Sequence, residues 1–152
     1  MALRGRDVIS GAYADIYCKI GDERFKIGWA KGIEAKITKN KTAIQALGSI
    51  MDKQKAARAS GAGTLKLFYL DSRFRKRTID FIKGAADTYL DFEVYVEDPA
   101  SRAGQQATII KDCNLDEILV AYADADSAVL EESIPFTFED ADMPQEFNQV
   151  EY

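Results

Sequence analysis

Residues 12–38 read AYADIYCKIGDERFKIGWAKGIEAKIT, and the side of the chain on which their apolar residues fall decides the fold class. Ala14, Ile16, Cys18 and Ile20 alternate with Tyr13, Asp15, Tyr17 and Lys19, the period of two that marks a half-buried strand. Gly21-Asp22 supplies a tight turn, because glycine accepts the positive φ of a first central position. Beyond it Phe25, Ile27, Trp29, Ile33, Ala35 and Ile37 all occupy odd positions, and only Lys31 interrupts that side. The segment 12–38 therefore reads as a long hairpin with a bulge near Lys31-Gly32.

Outward from this hairpin the character changes. Residues 39–63, KNKTAIQALGSIMDKQKAARASGAG, hold no aromatic residue and many lysines and arginines. The stretch is too long for a simple turn, and Ile44, Leu47, Ile50 and Met51 give it something to bury, so it reads as a functional arm loop, mobile until it meets a neighbour. Thr64–Leu70 reads as a strand. Asp71 or Ser72 then caps a helix at about 72–83, which Gly84 stops. Phe74, Thr78, Phe81, Ile82 and Ala85 form one stripe facing the sheet, with Arg73, Arg75, Lys76, Arg77 and Lys83 mostly elsewhere.

Tyr89–Glu97 gives the cleanest alternation: Leu90, Phe92, Val94 and Val96 on one side, Asp91, Glu93, Tyr95 and Glu97 on the other. Residues 105–123 read as strand material broken near Asn114-Leu115-Asp116. Residues 128–139 read as a last strand, with Leu130, Ile134, Phe136 and Phe138 on one side. Pro135 lacks the ladder N–H, so it requires an edge or an irregularity there. The acidic tail after Pro144 reads as loose. The fold class is mainly β, a sandwich or barrel with one helix, spanning 1–152 as a single domain.

Composition removes several functions. The chain has 152 residues and no histidine, so no imidazole base or Ser-His-Asp triad is available. Its two cysteines, Cys18 and Cys113, read as a reduced, buried pair, and two thiols without histidine do not make a zinc site. No apolar run approaches the ~20 residues of a membrane span, and residues 1–13 lack a secretory core; the expectation is a soluble, cytoplasmically made protein. Residues 1–110 carry 19 Lys and Arg against 13 Asp and Glu, whereas 111–152 carry one Lys against 12 acids. That polarity suits contacts within or between subunits, and it disfavours whole-molecule nucleic-acid binding.

Candidate chemistry is sparse. Ser60-Gly61-Ala62-Gly63-Thr64 lacks the Gly-Lys-Ser/Thr ending of a phosphate loop and reads as a hinge. Asp124, Asp126, Glu131 and Glu132 do not have calcium-loop spacing, so no metal site, cofactor or catalytic residue is assigned. A nucleic-acid-binding β-domain using Arg73–Arg77 and a small carboxylate enzyme remain as rival readings.

The order of motifs resembles the tail tube proteins of contractile phages and PBSX-like defective prophages, and of phage-tail-like bacteriocins. The residues that carry the resemblance are Ile9-Ser10-Gly11, Lys39-Asn40-Lys41, Gly61-Ala62-Gly63-Thr64 and, most specific, Leu130-Glu131-Glu132-Ser133-Ile134-Pro135-Phe136-Thr137-Phe138-Glu139-Asp140. The resemblance implies homohexameric rings that share strands around a channel and stack into a tube. It further implies a sheath around that tube, tape measure and baseplate initiator proteins as partners, a channel for passage of DNA or ions with DNA only in passage, no membrane, and assembly in the host bacterial cytoplasm. A type VI-like secretion tube has the same architecture and stays open as the alternative. On this reading Ile44, Leu47, Ile50, Met51, Lys53 and Arg58 are inter-subunit or stacking candidates, and Asp91, Glu93 and Glu97 are lumen candidates.

Overall fold

In the computed structural model, which describes residues 2–152, the first alternating stretch forms β1 (Ala14–Ile20), which pairs antiparallel with β2 (Glu23–Lys26). Gly21, at φ +59°, makes the turn between them. The long hairpin expected at 12–38 ends at Lys26, because the chain there crosses to a different set of strands. Ile27 still donates its N–H to Ile16 O (2.8 Å), and Trp29 O already accepts from Phe68 N (3.0 Å). β3 (Ala30–Ile44) then pairs with β4 (Lys53–Phe68), not with β1. The bulge near Lys31-Gly32 is present as a register shift between Ala30 and Gly32.

The remaining elements are α1 (Arg73–Ile82), β5 (Leu90–Glu97), β6 (Gln105–Leu115), β7 (Glu131–Phe138) and β8 (Asp140–Gln145), with a 3-10 turn at Gly5–Asp7. Hydrogen bonding orders the strands β2-β1-β5-β6-β7-β4-β3, with β8 also on β6. β6 and the consecutive β7 and β8 run side by side through a corner. The end of β6 meets β7 at Leu115↔Phe136 and Asn114↔Thr137, and its earlier part meets β8 from Lys111↔Asp140 to Ala107↔Gln145. At the corner Asp112 adopts φ +55°, and its N–H is held by Asp91 Oδ1 at 3.1 Å. The ladder shifts there between Leu90↔Cys113 and Phe92↔Ile110, an extra residue of the kind that bends a strand from one sheet to another.

The core lies between the two halves. Phe92 and Phe136 approach to 5.2 Å between centroids, joined by Cys18, Leu65, Leu67, Cys113 and Ile134, all essentially unexposed. Burial pushes the thiols of both cysteines up to about 12, so neither is a reactive thiolate.

Several expectations change. The 39–63 arm is a paired ladder rather than a loop, and only 45–52 connects its strands. β-Branched Ile37, Thr38, Thr42 and Ile44 favour an extended β3, and the small residues of β4 obstruct nothing beside it. Strand structure in 105–123 stops at Leu115. A further strand, β8, follows the expected last one; its acids disguise it, and Lys111 holds Asp142 at 2.5 Å. Pro144 falls in the register break of β8, where no ladder N–H is needed. The tail beyond is tethered by Asn148 N to Ala103 O, 2.6 Å. Pro135 takes the edge position expected as one of its two options: the β6–β7 pairing ends at Leu115↔Phe136, and only the Pro135 carbonyl is used beyond it, accepting from Asp116 N (2.9 Å).

The helix forms as expected, but its faces differ. Asp71 Oδ1 accepts from Arg73 N (2.8 Å), while the Ser72 side chain caps nothing. Gly84, at φ +105°, ends it, with Gly84 N to Phe81 O and Ala85 N to Asp80 O closing the last turn. Of the predicted stripe only Phe74 is buried; Phe81 and Ile82 are exposed. Arg75, placed with the basic residues off that stripe, is buried. Its Nη1 donates to Glu132 Oε1 and Oε2 at 2.8 and 2.9 Å, its Nη2 to Asp71 O, and its guanidinium covers the Tyr69 ring at 4.1 Å. Glu132 faces inward with Ile134, Phe136 and Phe138 because it shares their parity on β7.

Two measurements test this packing. Removing one partner of a buried ion pair strands the other charge, so Arg75→Met or Glu132→Gln alone should cost about 3–5 kcal/mol in urea unfolding. The Arg75→Met/Glu132→Leu double variant should be more stable than Arg75→Met; a double variant that simply adds a second loss would contradict the pairing. Gly63→Ala should cost about 1–3 kcal/mol, because its Cβ would meet the Glu34 carbonyl oxygen as well as the Phe136 ring. Gly61→Ala should be nearer neutral, since the three atoms nearest its Cβ all belong to the Phe138 ring, at 2.5–2.7 Å, and a ring at the core margin can turn aside.

Candidate assembly surfaces

The arm is the first surface. β7 accompanies β4 only from Phe68↔Glu131 to Gly61↔Phe138, so β4 from Lys53 to Ser60 has only β3 beside it. Seven β3 residues beyond Ile37, at roughly 3.3 Å each, carry the hairpin about 23 Å past the core. At its end Gly48 turns at φ +78°, and Ser49 Oγ donates to Met51 O (2.9 Å). Leu47 and Ile50 are fully exposed there, Met51 is 76% exposed, and Ile44 is 44% exposed. Lys53 stands opposite Ile44, and Arg58 opposite Asn40, beside a second register shift. The structure thus gathers all six inter-subunit candidates on one projecting hairpin.

The second surface is the face of β5 opposite Phe92. Glu93 lies there in an ion pair with Arg24 at 2.7 Å, and Arg24 also covers the Tyr17 ring at 4.2 Å. The Glu93 partner raises the Arg24 pKa above its ordinary value. Asp91 is engaged at the β6 corner, and Glu97 is exposed at the strand end beside Gln105. The three lumen candidates therefore share one face but not one environment.

A third surface is a cleft of about 400 Å³ between α1 and the ends of β5 and β6, with Phe81 and Ile82 on one wall and Leu90, Leu115 and Asp116 on the other. Sequence reasoning missed it; the signal was a helical stripe longer than the helix's buried contact.

The termini meet on a fourth. Arg102 grips Asp7 through Nε to Oδ1 and Nη2 to Oδ2, both at 3.0 Å, and Arg4 N donates to Asp7 Oδ2 at 3.0 Å. Ser10 N donates to Asp98 Oδ2 (2.9 Å), Asn148 Nδ2 to Arg102 O (3.2 Å), and the Tyr152 ring lies 4.7 Å from the Arg102 guanidinium. Ile9-Ser10-Gly11 thus belongs to a polar clasp around the 98–104 loop.

The other candidates disperse. Glu131 pairs with Lys31 (2.9 Å), Glu132 with Arg75, and Asp124 Oδ1 accepts from Asp126 N (3.0 Å). Among the described residues no three metal-ligating side chains gather. The basic run on α1 is divided: Arg73 stacks on Phe25 at 4.1 Å, Arg75 is buried, and Lys76 pairs with Asp80 at 2.9 Å. Ser60–Thr64 lies within β4, not in a loop. Among the described residues no helix is long and apolar enough to cross a membrane.

A bent antiparallel β-fold with a projecting hairpin and bare strand edges is the architecture of a structural assembly subunit. The chain belongs to the phage tail tube protein family, which it matches over residues 1–145. It is 33% identical over 150 residues to the phage-like element PBSX protein XkdM of Bacillus subtilis (strain 168), covering 99% of both chains. Its fold matches a chain of the anti-feeding prophage baseplate at TM-score 0.69 with 12% identity, covering 94% of this chain and 97% of that one. A chain of the PVC sheath-tube complex, an extracellular contractile injection system in its extended state, matches at TM-score 0.58 with 14% identity over 86% and 88%.

The clasp makes stability pH-dependent. Hydrogen bonding from Arg102, then from Arg4, together with the Arg102 and Arg6 charges, outweighs burial and holds the Asp7 carboxyl below its ordinary value. A carboxylate with a depressed folded-state pKa stabilises fully above its unfolded value of about 3.9, and that contribution is lost as pH falls through the folded value. Thermal melts across pH 2–7 should therefore show a shallower acid-side fall for Asp7→Asn than for the wild type, with the variant the less stable of the two at pH 7. Parallel curves would remove Asp7 from the acid response.

Proposed function

We propose that this chain is the inner-tube subunit of a contractile tail or tail-like particle, acting over 1–152 as one tube domain without enzymatic activity. Subunits close into homohexameric rings that share strands around a channel, and rings stack into a tube inside a sheath. Growth starts from a baseplate initiator, with a tape measure protein in the lumen and DNA present only in passage, and assembly takes place in the host bacterial cytoplasm. The observation that carries this reading is the projecting β3–β4 hairpin, whose tip exposes Leu47, Ile50 and Met51 to water. A bare strand edge extends a sheet into a neighbour, and exposed aliphatics on an arm are covered by a second molecule. Membership of the phage tail tube family and the likeness to the PBSX protein support the phage-tail branch over a type VI-like secretion tube. In this assembly Ile44, Leu47, Ile50, Met51, Lys53 and Arg58 make inter-subunit contacts. Asp91, Glu93 and Glu97 face the lumen, where Arg24 offsets part of their negative charge.

Electron microscopy of the concentrated protein with its initiator should show rings and tubes with a central channel. Replacing 43–54 by Asn-Gly should leave a body that melts cooperatively as before but forms no tubes. A strictly monomeric wild type under all these conditions, or normal tubes from the trimmed arm, would defeat the proposal. A density map placing Asp91 and Glu97 on the sheath-facing surface would defeat the lumen assignment alone.

A further inference from the structure

The helix cleft and the arm tip are complementary in shape and in charge. α1 uses only Phe74 of its apolar stripe for its own core; Phe81 and Ile82, 46% and 74% exposed, lean over a cleft with Leu90 in its wall. The tip of β3–β4 offers the opposite shape, a narrow turn with Leu47 and Ile50 fully exposed. Charge agrees with shape. Between residues 39 and 58 the arm has five Lys and Arg against Asp52. Residues 112–131, which begin beside the cleft at Asp116, have six acids and no base. Among the described residues Asp116 and Glu117 make no ion pair, nor do Lys53 and Lys55.

We propose that the arm tip of one copy seats in the α1 cleft of a second copy, with Leu47 and Ile50 against Phe81 and Ile82 and with Lys53 and Lys55 against Asp116 and Glu117. This rests on the tube-subunit reading and names its acceptor surface. Donor and acceptor lie on different parts of the chain, so the contact is head-to-tail, and it propagates from subunit to subunit into a ring or a stack. The apolar centre supplies stability by losing water, and the charged rim sets orientation and encounter rate.

The test uses the full-length Leu47→Cys/Ile82→Cys variant, with Leu47→Cys alone as control. Native Cys18 and Cys113 are buried and do not compete. Oxidised tubes should give a ladder of covalent multimers on a non-reducing gel, which the single variant does not. Tubes that leave only monomers, or that stop at a dimer as a reciprocal contact would, overturn the inference while the tube reading stands. Wild-type protein that never polymerises overturns the tube reading itself. A second series decides if the cysteine variant fails to assemble. Lys53→Glu/Lys55→Glu should raise the concentration needed for tubes by about tenfold, and adding Asp116→Lys/Glu117→Lys should restore it. Unchanged assembly in the first variant, or no recovery in the second, overturns the contact.

Discussion

Two glycines facing two phenylalanines across one strand pair anchor the packing of β7 on β4, the tighter of the two at Gly63. Gly61 lies opposite Phe138 and Gly63 opposite Phe136, and a Cβ at either glycine would collide with the facing ring. The rings lie over bare backbone, and Phe136 in turn reaches Phe92 of the other sheet at 5.2 Å. Two of the family motifs, Gly61–Thr64 and Leu130–Asp140, are thus halves of one packing contact. Each fills space the other leaves.

The arm follows from what happens at the end of that contact. At Phe138 the chain leaves β4, turns through Glu139, and continues as β8 against β6. That departure bares the β4 edge from Lys53 to Ser60, so the distal hairpin exists because β7 and β8 divide between two sheets. The corner is held from the other side by Asp112, whose left-handed backbone Asp91 secures; among residues other than glycine, Asp and Asn accept that conformation most readily. The helix is fastened separately by Phe74 and by Arg75 on Glu132, which leaves its C-terminal half over open water. The exposed aliphatics of the arm tip and of the helix end are both left over from contacts made elsewhere in the fold.

Much of this was legible in the sequence, and the parts that were not share a cause. Period-two alternation found the buried Ile16, Cys18 and Ile20 of β1, Leu90 and Phe92 of β5, and Ile134, Phe136 and Phe138 of β7, because a side chain's face depends only on its own strand, although Ala14 at the start of β1 is exposed. It did not name strand partners. Phe25, Ile27, Trp29 and Ile33 keep one parity while the chain crosses from β1's sheet to β4's, so an unbroken pattern passed for one hairpin. Parity also held the clue to Glu132, which shares the face of Ile134 and Phe136, but a carboxylate there has an inward meaning only once Arg75 is known to reach it from the helix. The distal arm and β8 went unseen as strands because neither buries an alternating apolar face, and pairing without burial leaves little trace in composition. The arm's aliphatics were legible as something needing cover; their acceptor was not, since it is assembled from a helix end and two strand ends distant in sequence.

The charges on the arm decide how it can associate. A free strand edge with nearby aliphatics would pair with another like itself and aggregate unless something discourages it. Lys39, Lys41, Lys53, Lys55 and Arg58 sit on that hairpin with one acid among them, so two arms laid edge to edge repel. An acidic surface offers no such repulsion, and nearly all the uncompensated acid of the chain lies in its last third. Arm-to-arm pairing is two-fold and ends at a dimer, whereas arm-to-body contact leaves one donor and one acceptor open on every complex. Segregating base on the arm from acid on the body therefore suppresses the closed dimer and favours the contact that repeats. In the proposed contact, the charge polarity visible in the bare sequence is a directionality device: it disfavours tip-to-tip pairing and would orient each incoming copy in the same sense.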